Sequence, residues 1–277
     1  MNLIDGRKIR DEILDRLKDE IDKLGISPTL VIILVGDNKA SVAYVRQKKL
    51  AGIKIGANVI IKNLSKNTTQ QELKKLIFSL NKDKKVHGII LQLPIPEHLD
   101  SEELSQLISP EKDVDGFVPG SKFKPATAKG VIELLKRSGV EISGKNAVVV
   151  GRGKIAGKPT AELLREEGAI VSVVHSNTEN PKEITKKADI LVSAVGKPKL
   201  ITADMVKPGA VVIDIGTTPV FPKSEDQGPT SKIVGDVDFE NVSKIASKIT
   251  PVPGGVGPMT VAALMQNLTE AAKIINI

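Results

Sequence analysis

AVVVGRGKIAG, residues 147–157, is the stretch that decides the fold class. An apolar run ends at Gly151, glycines recur at 153 and 157, and a helix-like segment follows. Strand, glycine turn and helix in that order let backbone N–H groups and a helix N-terminus face a phosphate. The spacing, G-x-G-x-x-x-G, is one residue longer than the usual dinucleotide fingerprint. It therefore suits nucleotide binding, and it also suits a plain tight turn between strand and helix.

Working outward, further apolar runs read as strands at 169–174 (AIVSVV), 189–196 (DILVSAVG) and 210–216 (AVVIDIG), with helical segments around 158–167 and 181–187. This alternation predicts a Rossmann-like half. The strand ending Val174-His175-Ser176-Asn177-Thr178 lacks the terminal acid that usually holds the ribose hydroxyls of NAD. Arg152, inside the glycine turn, suits an adenosine 2′-phosphate instead. His175 and Ser176 could equally cap the turn that follows.

The N-terminal half repeats the alternation. A helix is expected over 5–24 with Ile9, Ile13, Leu17, Ile21 and Leu24 on one face. Strands follow at 29–35 (TLVIILV), 57–62 (ANVIIK) and 86–93 (VHGIILQL), with helices starting near Ser41 and at Thr69, where Thr69 and Glu72 make a capping box. Parallel sheets covered by helices are the expected result. PKSEDQGPTSK at 222–232 reads as an exposed loop, and a last helix is expected over 259–275. The periodicity breaks near 118–125 (VPGSKFKP), which suggests two domains with a site in the cleft between them.

Composition narrows the function. The net charge of +7 suits anionic ligands as well as an ordinary lysine-rich surface. Five Phe, one Tyr and no Trp offer little for base stacking, so nucleic acid is not an expected partner. The absence of cysteine removes disulfide and thiolate chemistry. No apolar run approaches the roughly 20 residues of a membrane span, and MNLIDGRKIR carries charges where a signal peptide needs an apolar stretch. A cytoplasmic protein is expected.

Several residues could carry chemistry. Tyr44 and Lys48 share a helix face, though spacing alone makes them an ordinary amphipathic pair. Gln92 ends an apolar strand, where polar residues commonly face a ligand crevice or cap a turn. Asp113 and Asp115 lie in a loop without the His or Cys neighbours of a typical metal site, so no metal is expected. His87, His98 and His175 are scattered. PGGVGPMT at 253–260 could let backbone approach a ligand closely, or simply start a helix with Pro258 in its first turn.

Taken in order, VGDNKASVAYVRQKK (35–49), GIILQLPIP (88–96), PEKDVDGF (110–117), VVVGRGKIAGKP (148–159), VHSNT (174–178), SAVGKP (193–198), GDVDF (235–239) and PVPGGVGPMT (251–260) closely resemble the bifunctional methylenetetrahydrofolate dehydrogenase/cyclohydrolase family. The resemblance implies two α/β domains around a cleft. Residues 1–120 would form a catalytic, folate-binding domain completed by a C-terminal helix at 255–277, and 121–254 a Rossmann-like NADP-binding domain. It implies that Lys48 is the catalytic lysine, that Tyr44 lies beside the substrate and that Gln92 assists Lys48. Asp115 would bind the pterin, with Pro253, Gly254 and Gly255 also on the substrate side. Gly151, Arg152, Gly153, Ile155, Gly157, His175, Ser176 and Thr217 would line the NADP site. Tetrahydrofolate derivatives as substrates, a homodimer, and a place in one-carbon metabolism and purine biosynthesis are implied as well.

The chain departs from the family pattern at three places. Gly153 stands where Ser is common, Ala126 and Ala128 replace the Cys and Pro of a PCTP stretch, and Thr217-Thr218 follows DIG in place of an aliphatic residue and Asn. Two other readings stay open: an NADP dehydrogenase lacking the hydrolase step, and a nucleotide-sensing module without catalysis.

Overall fold

The structure is a computed structural model that describes residues 2–220 and 232–275. It divides into two compact units. One holds Asp11–Ala126 and Val261–Ile277, the other Met1–Arg10 and Thr127–Thr260. The chain opens with a two-residue strand, β1 (Asn2–Leu3), and helix α1 (Gly6–Leu24).

The first unit alternates β2 (Thr29–Val35), α2 (Lys39–Lys54), β3 (Asn58–Leu64), α3 (Gln70–Lys82) and β4 (Gly88–Leu91), then adds the short helix α4 (Ser101–Gln106). Its sheet is parallel in the order β3-β2-β4. The central strand is buried at all seven positions, which is why TLVIILV is a continuous apolar run rather than an alternating one. Ile33, Val35, Leu73, Ile77, Ile89 and Leu104 are among the residues of the core on this sheet. The capping box at Thr69 forms as expected: the Thr69 hydroxyl accepts from the Glu72 N–H, and the Glu72 carboxylate accepts from the Thr69 N–H at 2.8 Å. Ile13, Leu17 and Ile21 of α1 are buried, but Leu24 is half exposed. The apolar face of α1 ends a turn earlier than its periodicity suggests.

The second unit contains α5 (Ala126–Arg137, from Thr127 onward), β5 (Asn146–Val150), α6 (Gly157–Glu166), β6 (Ile170–Val174), α7 (Pro181–Thr185), β7 (Ile190–Ser193), β8 (Val211–Asp214), β9 (Thr218–Val220), β10 (Lys232–Val234), α8 (Phe239–Val242) and β11 (Lys248–Ile249). Six strands form one parallel sheet in the order β1-β11-β8-β7-β5-β6, and β9 pairs with β10 antiparallel. A long helix, α9 (Val256–Ile275), begins in this unit and continues in the other.

The predicted strands and helices appear with their ends shifted by a few residues. Strands β1 and β11 are too short to show a period, and the expected loop at 222–232 lies outside the described residues except for Lys232, the first residue of β10. Helix α5 is an amphipathic segment outside the expected elements. A Cβ on Gly130 would stand 2.9 Å from the Met259 carbonyl, so this glycine permits a close helix approach.

Candidate active site

In the first unit the chain leaves β2 for β3 on one side, then crosses back to β4 on the other. That reversal opens a crevice at the C-terminal ends of β2 and β4, the place where open α/β sheets bind ligands. Gly36, with φ +80°, turns the chain off β2. Asn38 caps α2 by accepting from the Ser41 N–H at 3.0 Å. Ser41 then donates to the Leu93 carbonyl at 3.4 Å, tying α2 to the end of β4. Tyr44 and Lys48 follow Ser41 on the same helix face, three and seven residues on.

Lys48 is only 4% exposed, which decides its chemistry. Its Nζ donates to Gln92 Oε1 at 3.1 Å and lies 5.1 Å from the centre of the Tyr44 ring. Gln92 is itself buried, and its Nε2 donates to the Leu93 carbonyl at 2.8 Å. That bond turns the amide so that its oxygen faces the lysine. Burial pushes the Lys48 pKa below the ordinary lysine value, and the charge of Asp115 pushes the other way. The result is a lysine whose charged form is disfavoured by burial and whose hydrogen-bond partner carries no charge.

Asp115 is half buried on a loop built by its neighbours. Asp113, 2% exposed, accepts from the Val118 N–H at 2.7 Å and the Gly116 N–H at 3.2 Å. Burial raises its pKa against the pull of these bonds. Asp113 is thus committed to shaping the loop. Among the described residues no three His, Cys, Asp or Glu side chains gather as a metal-ligand set. From α9, the buried Asn267 donates to the carbonyls of Val114 and Lys124 at 2.9 and 3.0 Å, bracketing Asp115 in the chain. Sequence reading missed Asn267. Its signal is a pair of amides, Gln266 and Asn267, inside the apolar run VAALMQNL.

The second unit has its own switch point, between β5 and β7. Gly151 has φ +108°, and a Cβ there would stand 2.4 Å from the Ala194 carbonyl oxygen. A Cβ on Gly157 would stand 2.2 Å from the Gly151 oxygen. Both glycines are therefore obligatory for this tight turn. Gly153 has nothing within 4 Å of its Cβ position, so the serine common at this place would fit without a clash. No side chain caps the N-terminus of α6. The turn, with exposed Arg152 and Ile155, fits the phosphate end of a dinucleotide.

At the end of β6, His175 Nδ1 accepts from the Asn177 N–H at 3.2 Å, and the Thr178 hydroxyl accepts from the His175 N–H at 2.9 Å. His175 thus caps its own turn, while Ser176 and Arg152 are exposed. Thr217 is exposed just past β8. Pro253, Gly254 and Gly255 lie in the loop before α9, in the same unit as these residues. Gly254 has φ +121°, and the Gly255 carbonyl packs so closely on Gly6 that a Cβ there would stand 1.9 Å away. The structure therefore brings Tyr44, Lys48, Gln92 and Asp115 together in one unit and the cofactor candidates together in the other.

Two buried aspartates complete the second switch point, and sequence reading gave them no role. Asp214, at the end of β8, accepts from the N–H groups of Gly216 (2.9 Å), Asp236 (3.0 Å) and Val237 (2.9 Å). Burial pushes its pKa up to about 6, and the nearby Asp236 adds to this. Asp236 accepts from the Ser193 hydroxyl at 2.9 Å and from three successive N–H groups, of Val195, Gly196 and Lys197, at 2.7, 3.2 and 2.8 Å.

Residues 4–115 match the tetrahydrofolate dehydrogenase/cyclohydrolase catalytic domain, and residues 125–276 match the NAD(P)-binding domain of the same family. The chain is 51% identical to the bifunctional protein FolD of Caldicellulosiruptor saccharolyticus, over 98% of this chain and 99% of that one. The solved FolD methylenetetrahydrofolate dehydrogenase/cyclohydrolase of Campylobacter jejuni superposes with a TM-score of 0.92 at 42% identity, covering 99% of both chains. The FolD of Trypanosoma brucei, solved with NADP cofactor and inhibitor, also gives 0.92, at 41% identity over 98% of this chain and 97% of that one. On sequence and fold together, the chain belongs to the tetrahydrofolate dehydrogenase/cyclohydrolase family.

Proposed function

We propose that this chain oxidises 5,10-methylenetetrahydrofolate to 5,10-methenyltetrahydrofolate with NADP, and hydrolyses the methenyl compound to 10-formyltetrahydrofolate. The observation that carries this reading is the buried Lys48 held at 3.1 Å by an uncharged glutamine. Hydrolysis adds water across the cationic methenyl bridge and releases a proton as the ring opens. Burial lowers the Lys48 pKa, which makes the neutral, proton-accepting form more accessible than in a solvated lysine. Gln92 holds Lys48 without a negative charge that would restore its basicity.

Tyr44, on the same face, offers a ring against which the substrate can lie. Asp115 offers a carboxylate to the amino-pyrimidine edge of the pterin, an arrangement that accepts two N–H donors. In this reading Pro253, Gly254 and Gly255 contact the substrate. The Gly151–Gly157 turn takes the pyrophosphate, Arg152 and Ser176 take the adenosine phosphate, and Ile155, His175 and Thr217 line the remainder. NADP supplies the hydride acceptor for the oxidation.

A cytoplasmic homodimer belongs to the same reading. Light scattering should give twice the 29.6 kDa chain mass at micromolar protein; a mass of one chain overturns the dimer.

The test of the main activity is a spectrophotometric assay of both half-reactions, the oxidation run with NADP and with NAD. Oxidation without methenyl hydrolysis would leave a dehydrogenase alone. Neither activity, with dinucleotide binding intact, would leave a sensing module.

A further inference from the structure

We infer that Asp236 is a positioning residue of the dinucleotide site, acting as a built-in anion that shapes the wall of the β5/β7 crevice. The inference rests on the NADP reading above. Three successive backbone N–H groups in a curled segment ordinarily make a nest for an external anion such as a phosphate. In this chain the nest at 195–197 is already filled, by a carboxylate that is 0% exposed. Gly196, at φ +75°, gives the segment its curl.

The segment is placed to matter. It follows the C-terminal end of β7, and the residue just before it, Ala194, supplies the carbonyl that packs on Gly151 at the head of the glycine turn. The Ala194 N–H in turn donates to the Val150 carbonyl at 2.8 Å. Thr218, one residue past Thr217, donates to the Gly196 carbonyl at 3.2 Å. Asp236 thus fixes a loop that touches both the phosphate turn and the segment after β8.

A chemical consequence follows. With their N–H groups turned onto Asp236, residues 195–197 have no backbone donors left for a phosphate. The pyrophosphate is left to the turn at 151–157. The wall at 194–197 presents the exposed Val195 side chain, an apolar surface that suits a ring face, while the carbonyls of Ala194, Gly196 and Lys197 are taken up by Gly151, Thr218 and the Leu200 N–H. Gly216 and Gly235 reinforce the arrangement. A Cβ on the first would stand 2.3 Å from the Asp236 carboxylate, and a Cβ on the second 2.0 Å from that of Asp214. The close packing of backbone on the two carboxylates therefore requires glycine at both places.

The test is Asp236→Asn in the full chain, read by titration with NADPH. The chain has no Trp, so NADPH emission is free of indole interference. An amide keeps the shape but turns an NH2 group toward backbone donors. The NADPH Kd should rise about 10- to 100-fold. Methenyl hydrolysis, which uses no dinucleotide, should fall much less, and the KM for NADP should rise more than that for the methylene substrate. Unchanged NADPH affinity overturns the inference, as does a parallel fall in NADPH affinity and hydrolysis, which would mark a general folding role. Should Asp236→Asn not fold, Ser193→Ala removes one donor and leaves the backbone. It should raise the NADPH Kd about three- to tenfold, and wild-type affinity there overturns the inference. Failure of the wild type itself to bind NADPH would fall on the functional reading instead.

Discussion

The region at the ends of β2 and β4 holds its candidate reactive group, Lys48, inside protein; the turn at the ends of β5 and β7 leaves its candidate contacts in water. Lys48 and Gln92 are 4% and 8% exposed, whereas Arg152, Gly153 and Ser176 are exposed. Each arrangement suits its task. A proton-transferring lysine needs desolvation, because water would hold it as ammonium. A dinucleotide brings its own charges and hydrogen-bonding groups, so its site needs a backbone of fixed shape with room around it. Beneath the second turn, the buried Asp214 and Asp236 accept from the N–H groups of the loops at 195–197, 216 and 236–237.

The largest expected effect breaks the first half of this comparison. Lys48→Met should lower methenyl hydrolysis by about 100- to 10,000-fold. NADP affinity should be unchanged, since Lys48 lies in the other unit from the glycine turn. Because the structure disfavours the charged lysine, the melting temperature should hold or rise. Near-wild-type hydrolysis would remove Lys48 from the mechanism. Lost activity with a collapsed melting temperature would make its role one of packing.

Asp115 sharpens the same half. Asp115→Ala should weaken folate binding by about 1.5–3 kcal/mol, roughly 10- to 150-fold. It should also remove the one charge that favours protonated Lys48, lowering the pKa seen in the hydrolysis rate. Titration with the folate ligand and a pH–rate profile report the two effects separately. Unchanged affinity would show that the carboxylate does not meet the pterin.

For the open half, Arg152→Ala should erase most of the preference for NADP, at a cost of about tenfold in kcat/KM with NADP. Turnover with NAD should be spared. Gly153 supplies no hydroxyl, so the lower end of a charged hydrogen bond's usual range is expected. Equal kcat/KM for NAD and NADP in the wild type would overturn the reading of the β6 end.

How much could be read from the chain differs between the two halves for physical reasons. The strands were legible because buried parallel strands are continuous apolar runs, and the glycine turn because two of its glycines are sterically forced. The pairing of Lys48 with Gln92 spans 44 residues, and nothing in local spacing distinguishes Lys48 from a solvated lysine. Its proposed role rests on the ordered set of motifs, and its burial shows only in the fold. Asn267 and Asp236 were missed because each acts on backbone groups far away in the chain: 153 residues for Asn267 to Val114, and 41 for Asp236 to Val195. A polar residue in an apolar run is the only local trace such a role leaves. At His175 the turn-capping role that the sequence left open is present, since Nδ1 accepts from the Asn177 N–H.

The smallest expected effect concerns the scaffold under the open site. Asp214 has a carboxyl pKa of about 6 in the folded chain against an ordinary 3.8. The folded state therefore takes up a proton on this group at a higher pH than the unfolded chain does. The penalty for keeping Asp214 ionised is fully present above about pH 6 and is relieved as pH falls through that value. Asp214→Asn carries no titrating group at this place but shares every other one with the wild type. The difference in melting temperature, wild type minus variant, should therefore grow as pH falls from 7.5 to 5. One pH unit below the folded pKa corresponds to about 1.4 kcal/mol, or about 3 °C for a chain of this size. Differential scanning fluorimetry of both proteins across that range measures it. A difference that stays flat or shrinks toward pH 5 would show that the backbone N–H groups of Gly216, Asp236 and Val237 outweigh burial and keep Asp214 ionised.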